Sequence, residues 1–331
     1  AKAIDLQVLA MPDAGSAVAA SAPLTITGAA SALIVFEVRI AGQKTSFQVA
    51  SGTSQNDIAI ALAAAVTAEQ EFIVSAAVDG GNANQVNFAC KQGGEIGNSI
   101  NVEVVAVNTQ PASPVISDSG IADLAGGAVN PDLVDAIASM GDEWYQVVIC
   151  PFIDAANLAA LEAELEDRWT ALRQIGGLGF VGVPGTHGEA TTHAAARNSF
   201  SLISLPTNNS DSLPFELSAM VAAIAAEGGE RNPARPFQGK RIKGFLGGAK
   251  ENRFIATERN LLLRAGLSTH YYDGQGNAYV EWLVTGYTEN SEGFADDSYR
   301  SVNTLFILQR IRWEQRKHFS QNFQGYNLAA D

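Results

Sequence analysis

A chain of 331 residues is long enough for two compact domains, since hydrophobic cores usually split at about 100 to 200 residues each. With 47% hydrophobic and 17% charged residues the composition is that of a folded globular protein and excludes a disordered chain, while the longest apolar runs, 58–66 and 220–226, fall well short of the roughly 20 residues of a membrane span. A formal net charge of −14 excludes general binding to nucleic acid or to an anionic membrane, both of which need a basic field to gather their partner.

The charge is unevenly spread. Residues 1–167 hold only Lys2, Arg39, Lys44 and Lys91 as bases, whereas 231–317 carry two thirds of all Lys and Arg. Such asymmetry suits an assembly subunit with two different faces, although a solvated surface alone also produces it. The start, Ala1-Lys2-Ala3-Ile4-Asp5-Leu6, has neither the apolar run of a signal peptide nor an initiator methionine, so a fragment or a trimmed product of a longer chain is expected. Cys90 and Cys150 sit in apolar, strand-like surroundings and are expected to be buried free thiols in a reducing cytoplasm.

In chain order, residues 4–9 alternate apolar and polar and predict a strand, ending at Pro12-Asp13-Ala14-Gly15. Further strands are predicted at 24–27, 34–40 and 45–49, the last two joined as a hairpin through Ala41-Gly42-Gln43-Lys44. The period then changes: Ile58, Leu62, Ala65 and Val66 share a helical face over 54–68, with Ser54, Asn56 or Asp57 as caps. Strand spacing returns at 72–78, 85–89 and 100–107, so that 22–127 reads as a small β-rich domain holding one helix, closed by Ala125-Gly126-Gly127.

From Asn130, the expected N-cap of a short helix reaching Met140, strands and helices alternate. Strands are expected at 145–150, 178–183 and 200–205; helices at 190–197, at 215–226, and behind Asp154, where Leu158, Leu161, Leu165, Trp169 and Leu172 recur at helical spacing. This rhythm argues for a sheet with a parallel portion covered by helices. The last third brings a helix opened by Thr257-Glu258-Arg259-Asn260, a hairpin across Asp273-Gly274-Gln275-Gly276, and a long helix over about 297–319.

No active site assembles from these residues. Gly177, Gly179 and Gly182 spell GxGxxG, but they follow a helix and lie within the next strand, where the dinucleotide motif requires strand, turn, then helix; close strand packing is the expected role. His187, His193, His270 and His318 show no metal-ligand spacing. Glu162, Glu164, Glu166 and Asp167 read as the solvated face of a helix, and Asp142-Glu143 is a lone acidic pair. The expectation is a protein that is not an enzyme, with no cofactor and no metal.

Several ordered phrases carry a resemblance. Asn130-Pro131-Asp132-Leu133 leads into Gly141-Asp142-Glu143-Trp144-Tyr145; Cys150-Pro151-Phe152 precedes the Asp154 helix, and Arg173-Gln174-Ile175-Gly176-Gly177 follows it. Then come Asn232-Pro233-Ala234-Arg235-Pro236, Glu258-Arg259-Asn260-Leu261-Leu262-Leu263 and Asp297-Ser298-Tyr299. In this order the chain resembles the contractile bacteriophage tail sheath proteins of the Mu-like family over nearly its whole length. The resemblance implies an α/β (α+β) core domain with a mixed sheet flanked by helices, interrupted by an inserted, protruding β-rich domain containing one helix. Residues 1–20 would then be the first strand of the core, 21–127 the insert, and 128–331 the sheath core ending in the long helix. Full sheath subunits extend beyond both ends of such a chain, with terminal arms that add strands to neighbours.

The implied role is structural: stacked hexameric rings around a tail tube, contracting to drive the tube through the host envelope. The implied partners are other copies, the tail tube protein, and baseplate and tail terminator proteins, with no nucleic acid and no membrane, in a virion tail assembled in the host bacterial cytoplasm. A sheath of a phage-derived bacteriocin or related injection particle is the near alternative; a carbohydrate-binding or enzymatic α/β protein is the distant one. On the long helix, Val302, Leu305, Phe306, Leu308, Ile311 and Trp313 supply docking positions, while Arg310, Arg312, Arg316 and Lys317 cluster as a basic stripe. Helix-end electrostatics accounts for such a stripe without a partner; the resemblance makes these four residues the candidate contact with the tail tube.

Overall fold

The computed structural model describes residues 5–107 and 121–322. The chain divides into two compact units, one built from residues up to Val8, Leu133–Asn208 and those from Pro214 onward, the other from Leu9–Asp132 with Asn209–Leu213.

The second unit holds β1 (Ser21–Thr25), β2 (Ile34–Ile40), β3 (Gln43–Val49), α1 (Gln55–Ala68), β4 (Val74–Val78), β5 (Gln85–Cys90), β6 (Asn101–Ala106) and β7 (Ile121–Asp123). They form two antiparallel sheets, β3-β2-β6-β7 and β1-β5-β4. The β2–β3 register is set by Ala41 and Gly42, both with positive φ (49° and 77°), the two-residue turn whose twist matches that of the strands. Alternate residues Phe36, Val38 and Ile40 are buried along β2, as period-two burial requires. Ser54 caps α1 by accepting from the Asp57 amide, and the helix buries Ile58, Leu62 and Val66. Entry and exit of this unit pair with each other, Val18 with Ala128 and Ser21 with Ala125.

The first unit holds α2 (Val134–Met140), β8 (Val147–Cys150), α3 (Ala155–Arg168), β9 (Leu178–Pro184), α4 (His187–Ala195), β10 (Leu202–Thr207), α5 (Pro214–Arg231), α6 (Ala256–Arg264), β11 (Thr269–Tyr272), β12 (Ala278–Trp282) and α7 (Val302–Asn322). Strands β8, β9 and β10 are parallel in the order β10-β9-β8, and β11–β12 is an antiparallel hairpin. Beside β10, a parallel bridge from Ser204 to Leu267 leads into β11. This unit is thus α/β, a parallel three-stranded sheet bridged to an antiparallel hairpin and flanked by helices, and the other is β-rich with one helix. The core of the α/β unit joins Leu178, Phe180, Ile203 and Leu205 of the sheet to Leu217 and Val221 of α5 and to Leu305 and Phe306 of α7.

The GxGxxG glycines serve packing. A side chain on Gly177 would strike the Tyr145 carbonyl, and one on Gly182 the Pro214 carbonyl at the start of α5, while Gly179 faces Leu165 and Leu202. Both cysteines are buried and free, and burial pushes the Cys150 thiol up to about 11.

Four sequence expectations are corrected. Residues 5–9 form no strand, because no described backbone pairs with them and Leu6, Val8 and Leu9 are exposed; Ile4 lies outside the described residues. Asn130 does not cap α2, since its side-chain oxygen accepts from the Glu95 amide instead, and the helix starts at Val134. Leu172 is not on the buried face of α3: the helix stops at Arg168 and Leu172 is 97% exposed beyond it. Helix α7 begins at Val302 rather than near Asp297, because Asp296 folds 296–298 into a turn by accepting from the Ser298 amide and hydroxyl.

Candidate functional site

The phrases singled out in the sequence converge on how α3 and α7 are held. Arg168, fully buried at the end of α3, donates to Glu164 (2.7 Å), to the Glu143 carbonyl (2.7 Å) and to the Gly141 carbonyl (2.6 Å). Arg173 adds a second set, to the Gly141 carbonyl (3.0 Å), Glu164 (3.0 Å) and Asp167 (2.9 Å). Trp144 and Trp169 donate their indole N–H groups to the Gly176 and Gly177 carbonyls (2.9 and 3.1 Å). The stretches 141–145 and 173–177 are therefore one polar clasp around the C-terminus of α3, with the Arg168 guanidinium buried at its centre.

The later phrases seat α7. Asn303 donates to the Pro233 and Arg235 carbonyls, both at 2.9 Å. Arg300, paired with Asp297 (2.9 Å), donates to the Leu263 carbonyl at the end of α6 (2.6 Å). Phe306 rests on Gly229 of α5, where a side chain would strike its ring. Arg312 then closes the seat, with Nη1 2.6 Å from the Trp169 carbonyl and the guanidinium carbon 4.9 Å from the Trp169 ring centre.

Beyond that point the helix is uncovered: Val302, Leu305, Phe306 and Gln309 are buried, whereas Arg310, Ile311 and residues 314–322 are exposed. At roughly 100° per residue, the docked face continues as Trp313, Arg316 and Lys317. Arg310 and Lys317 both lie over Trp313, at 5.0 and 4.9 Å from the ring centre, and Arg310 also pairs with Glu314 at 2.9 Å. The four candidate residues thus differ in kind: Arg312 is tied to Trp169, Arg310 and Lys317 are exposed and lie over Trp313, and Arg316 is exposed. Trp313, expected among the docking positions, is half-buried on the continuation of the docked face and also carries two cations, as the spacing 310, 313, 317 signals.

Elsewhere the unit offers little chemistry. A groove of about 360 Å³ is lined by Leu263, Trp282, Val284, Asp297, Arg300 and Ser301, but its two charged groups are paired with each other. Among the described residues no three His, Cys, Asp or Glu side chains gather as a metal set, and no helix is long and apolar enough to cross a membrane. His193 contacts Ser204 (3.4 Å), and His270 contacts Tyr272 (3.1 Å) with its ring edge against Phe245. Burial, helped by the positive charge of Arg259, lowers His270 to about 4. A histidine held neutral in the fold but free to protonate when unfolded contributes stability above pH ~6.5 that is lost as pH falls towards 4. Thermal melts between pH 7 and 4 should therefore fall more steeply for the wild type than for His270→Asn; equal slopes would contradict this.

Comparison with known proteins decides the family. Residues 126–285 match the model of the phage tail sheath protein central domain. The chain is also 34% identical over 328 residues to the Mu-like prophage FluMu tail sheath protein of Haemophilus influenzae, covering 99% of this chain. The chain belongs to the phage tail sheath family. It spans 66% of the length of that curated relative. Among solved structures, a sheath tail protein of Desulfitobacterium hafniense matches with TM-score 0.46 and 13% identity, covering 96% of this chain and 67% of that one. One from Listeria innocua matches with TM-score 0.44 and 18% identity over 70% and 60% of the two chains. Within this tail sheath chain, residues 126–285 include the α3 clasp and the loops that receive the start of α7, while α7 itself lies past the matched segment.

Proposed function

We propose that this sheath chain is part of a structural subunit of a contractile tail, polymerising as stacked hexameric rings around the tail tube and shortening to drive the tube through the host envelope. The supporting observation is sequence identity to a tail sheath protein along 99% of the chain. Its partners are other copies of itself, the tube protein, and the baseplate and terminator proteins, in a virion tail assembled in the bacterial cytoplasm. The subunit turns over no substrate and needs no nucleotide. Work is stored during assembly as the difference between two packings of one folded subunit, the contracted one with more buried contact.

In this reading the uncovered half of α7 holds the tube. Exposed cations are strongly screened and individually weak, so a set of them grips without locking, as a sheath that must slide requires. Arg312, tied to Trp169, maintains the helix, and Arg310, Arg316 and Lys317 make the contact. The experiment is charge reversal: Arg316→Glu with Lys317→Glu in the intact subunit should preserve the fold and sheath-only polymers yet abolish co-sedimentation with tail tubes. Undiminished tube binding at low salt would defeat the assignment.

A further inference from the structure

The arrangement around Trp313 points beyond a row of charges. We propose that the outer half of α7 is a carboxylate-exchange site: Glu314 occupies, in the free subunit, the place on Arg310 that a carboxylate of the tube protein takes on assembly, and Trp313 holds the cations ready for the exchange. This rests on the tube-contact reading above.

Three observations carry it. Arg310 and Glu314 are both about half exposed (45% and 50%), so their 2.9 Å pair is open to competition from solvent and from another carboxylate. Its order on the helix, cation before anion at four residues' spacing, is the less favourable one for the helix dipole. It is an internal pair that is readily given up. Trp313, by contrast, is half-buried, with Arg310 and Lys317 each stacked over its ring at about the same distance (5.0 and 4.9 Å), so two long, flexible side chains are held on one platform before any partner arrives. Arg316 lies three residues on and is uncovered. The partner that fits is a protein face with several carboxylates, because the site offers three exposed cations in a chain whose net charge is −14, and one of them already accepts a carboxylate.

The test measures binding of intact-subunit variants to purified tail tubes across a salt series. Glu314→Gln, which frees Arg310 and leaves the helix surface otherwise alike, should tighten tube binding about two- to threefold at low salt. Trp313→Leu should weaken it about tenfold, with circular dichroism showing the helix retained. If Arg316→Glu with Lys317→Glu abolishes tube binding while Glu314→Gln leaves it unchanged or weaker, the exchange is refuted and the tube contact stands. If charge reversal has no effect, the tube contact itself fails. If Glu314→Gln instead promotes salt-sensitive self-association without tubes, the occupant is a second copy of the chain and the proposal is overturned.

Discussion

Gly182→Ala is expected to destabilise the α/β unit by about 3 kcal/mol or more, at the upper end of what inserting one carbon into a packed core costs. Gly182 lies in the central strand β9, bonded on both edges into a parallel sheet, and the N-terminus of α5 packs directly over it. The atoms that a methyl group would meet are the carbonyl carbon and oxygen of Pro214 and the amide nitrogen of Phe215, all backbone. Side chains can rotate away from a clash; the first turn of an 18-residue helix can only move as a body. That movement would lift Leu217 and Val221 from Phe180 and Leu205 in the core. A fall in melting temperature on the order of 10 °C, or failure to accumulate soluble protein, is the expected readout. A melting curve within a degree or two of wild type would show that α5 does not sit as described. Gly182 is not at a positive φ, so the penalty is one of space and not of backbone conformation.

Arg168→Leu should be comparably damaging, costing about 3 kcal/mol, because it removes the buried guanidinium that ties the turn at 141–143 to the end of α3. Its guanidinium, with no exposed surface, satisfies Glu164 and the carbonyls of Gly141 and Glu143, three acceptors that leucine cannot serve. Arg173 partly compensates, since it also reaches Gly141 and Glu164. Arg168→Lys keeps the charge but cannot span all three acceptors from one nitrogen and should fall between the two. A leucine variant as stable as wild type in urea titration would mean that the clasp contributes nothing net. Because Trp169, next in the chain, receives Arg312, loosening this clasp should also loosen α7, which limited proteolysis at the exposed end of the helix would report.

Much of this fold was legible because the physics that makes each element is local. The alternation along β2, the turn at Ala41-Gly42 and the Ser54 cap of α1 are each decided within a few residues, and they appear where period and capping rules place them. What was not legible depends on distant partners. Asn130 has the right side chain for a cap, but Glu95, 35 residues earlier, claims it. Nothing near Leu172 in sequence announces that α3 ends at Arg168, where Trp169 and Thr170 donate three residues back, to the Glu166 and Asp167 carbonyls, instead of four. At the candidate site the basic stripe could be read from composition, whereas the division of labour within it could not. That Arg312 faces Trp169 depends on packing across 143 residues of chain, while the stacking of Arg310 and Lys317 on Trp313 follows from helical spacing alone.

The central claim, that this chain belongs to a subunit that builds a sheath around a tube, is tested most directly by electron microscopy of the intact subunit produced together with its tail tube protein. The account predicts tubes encased in stacked six-fold rings, and empty rings or contracted sheaths when Arg316 and Lys317 are reversed to glutamate. Monodisperse subunits that neither ring nor associate with tubes under the conditions in which tubes form would contradict it.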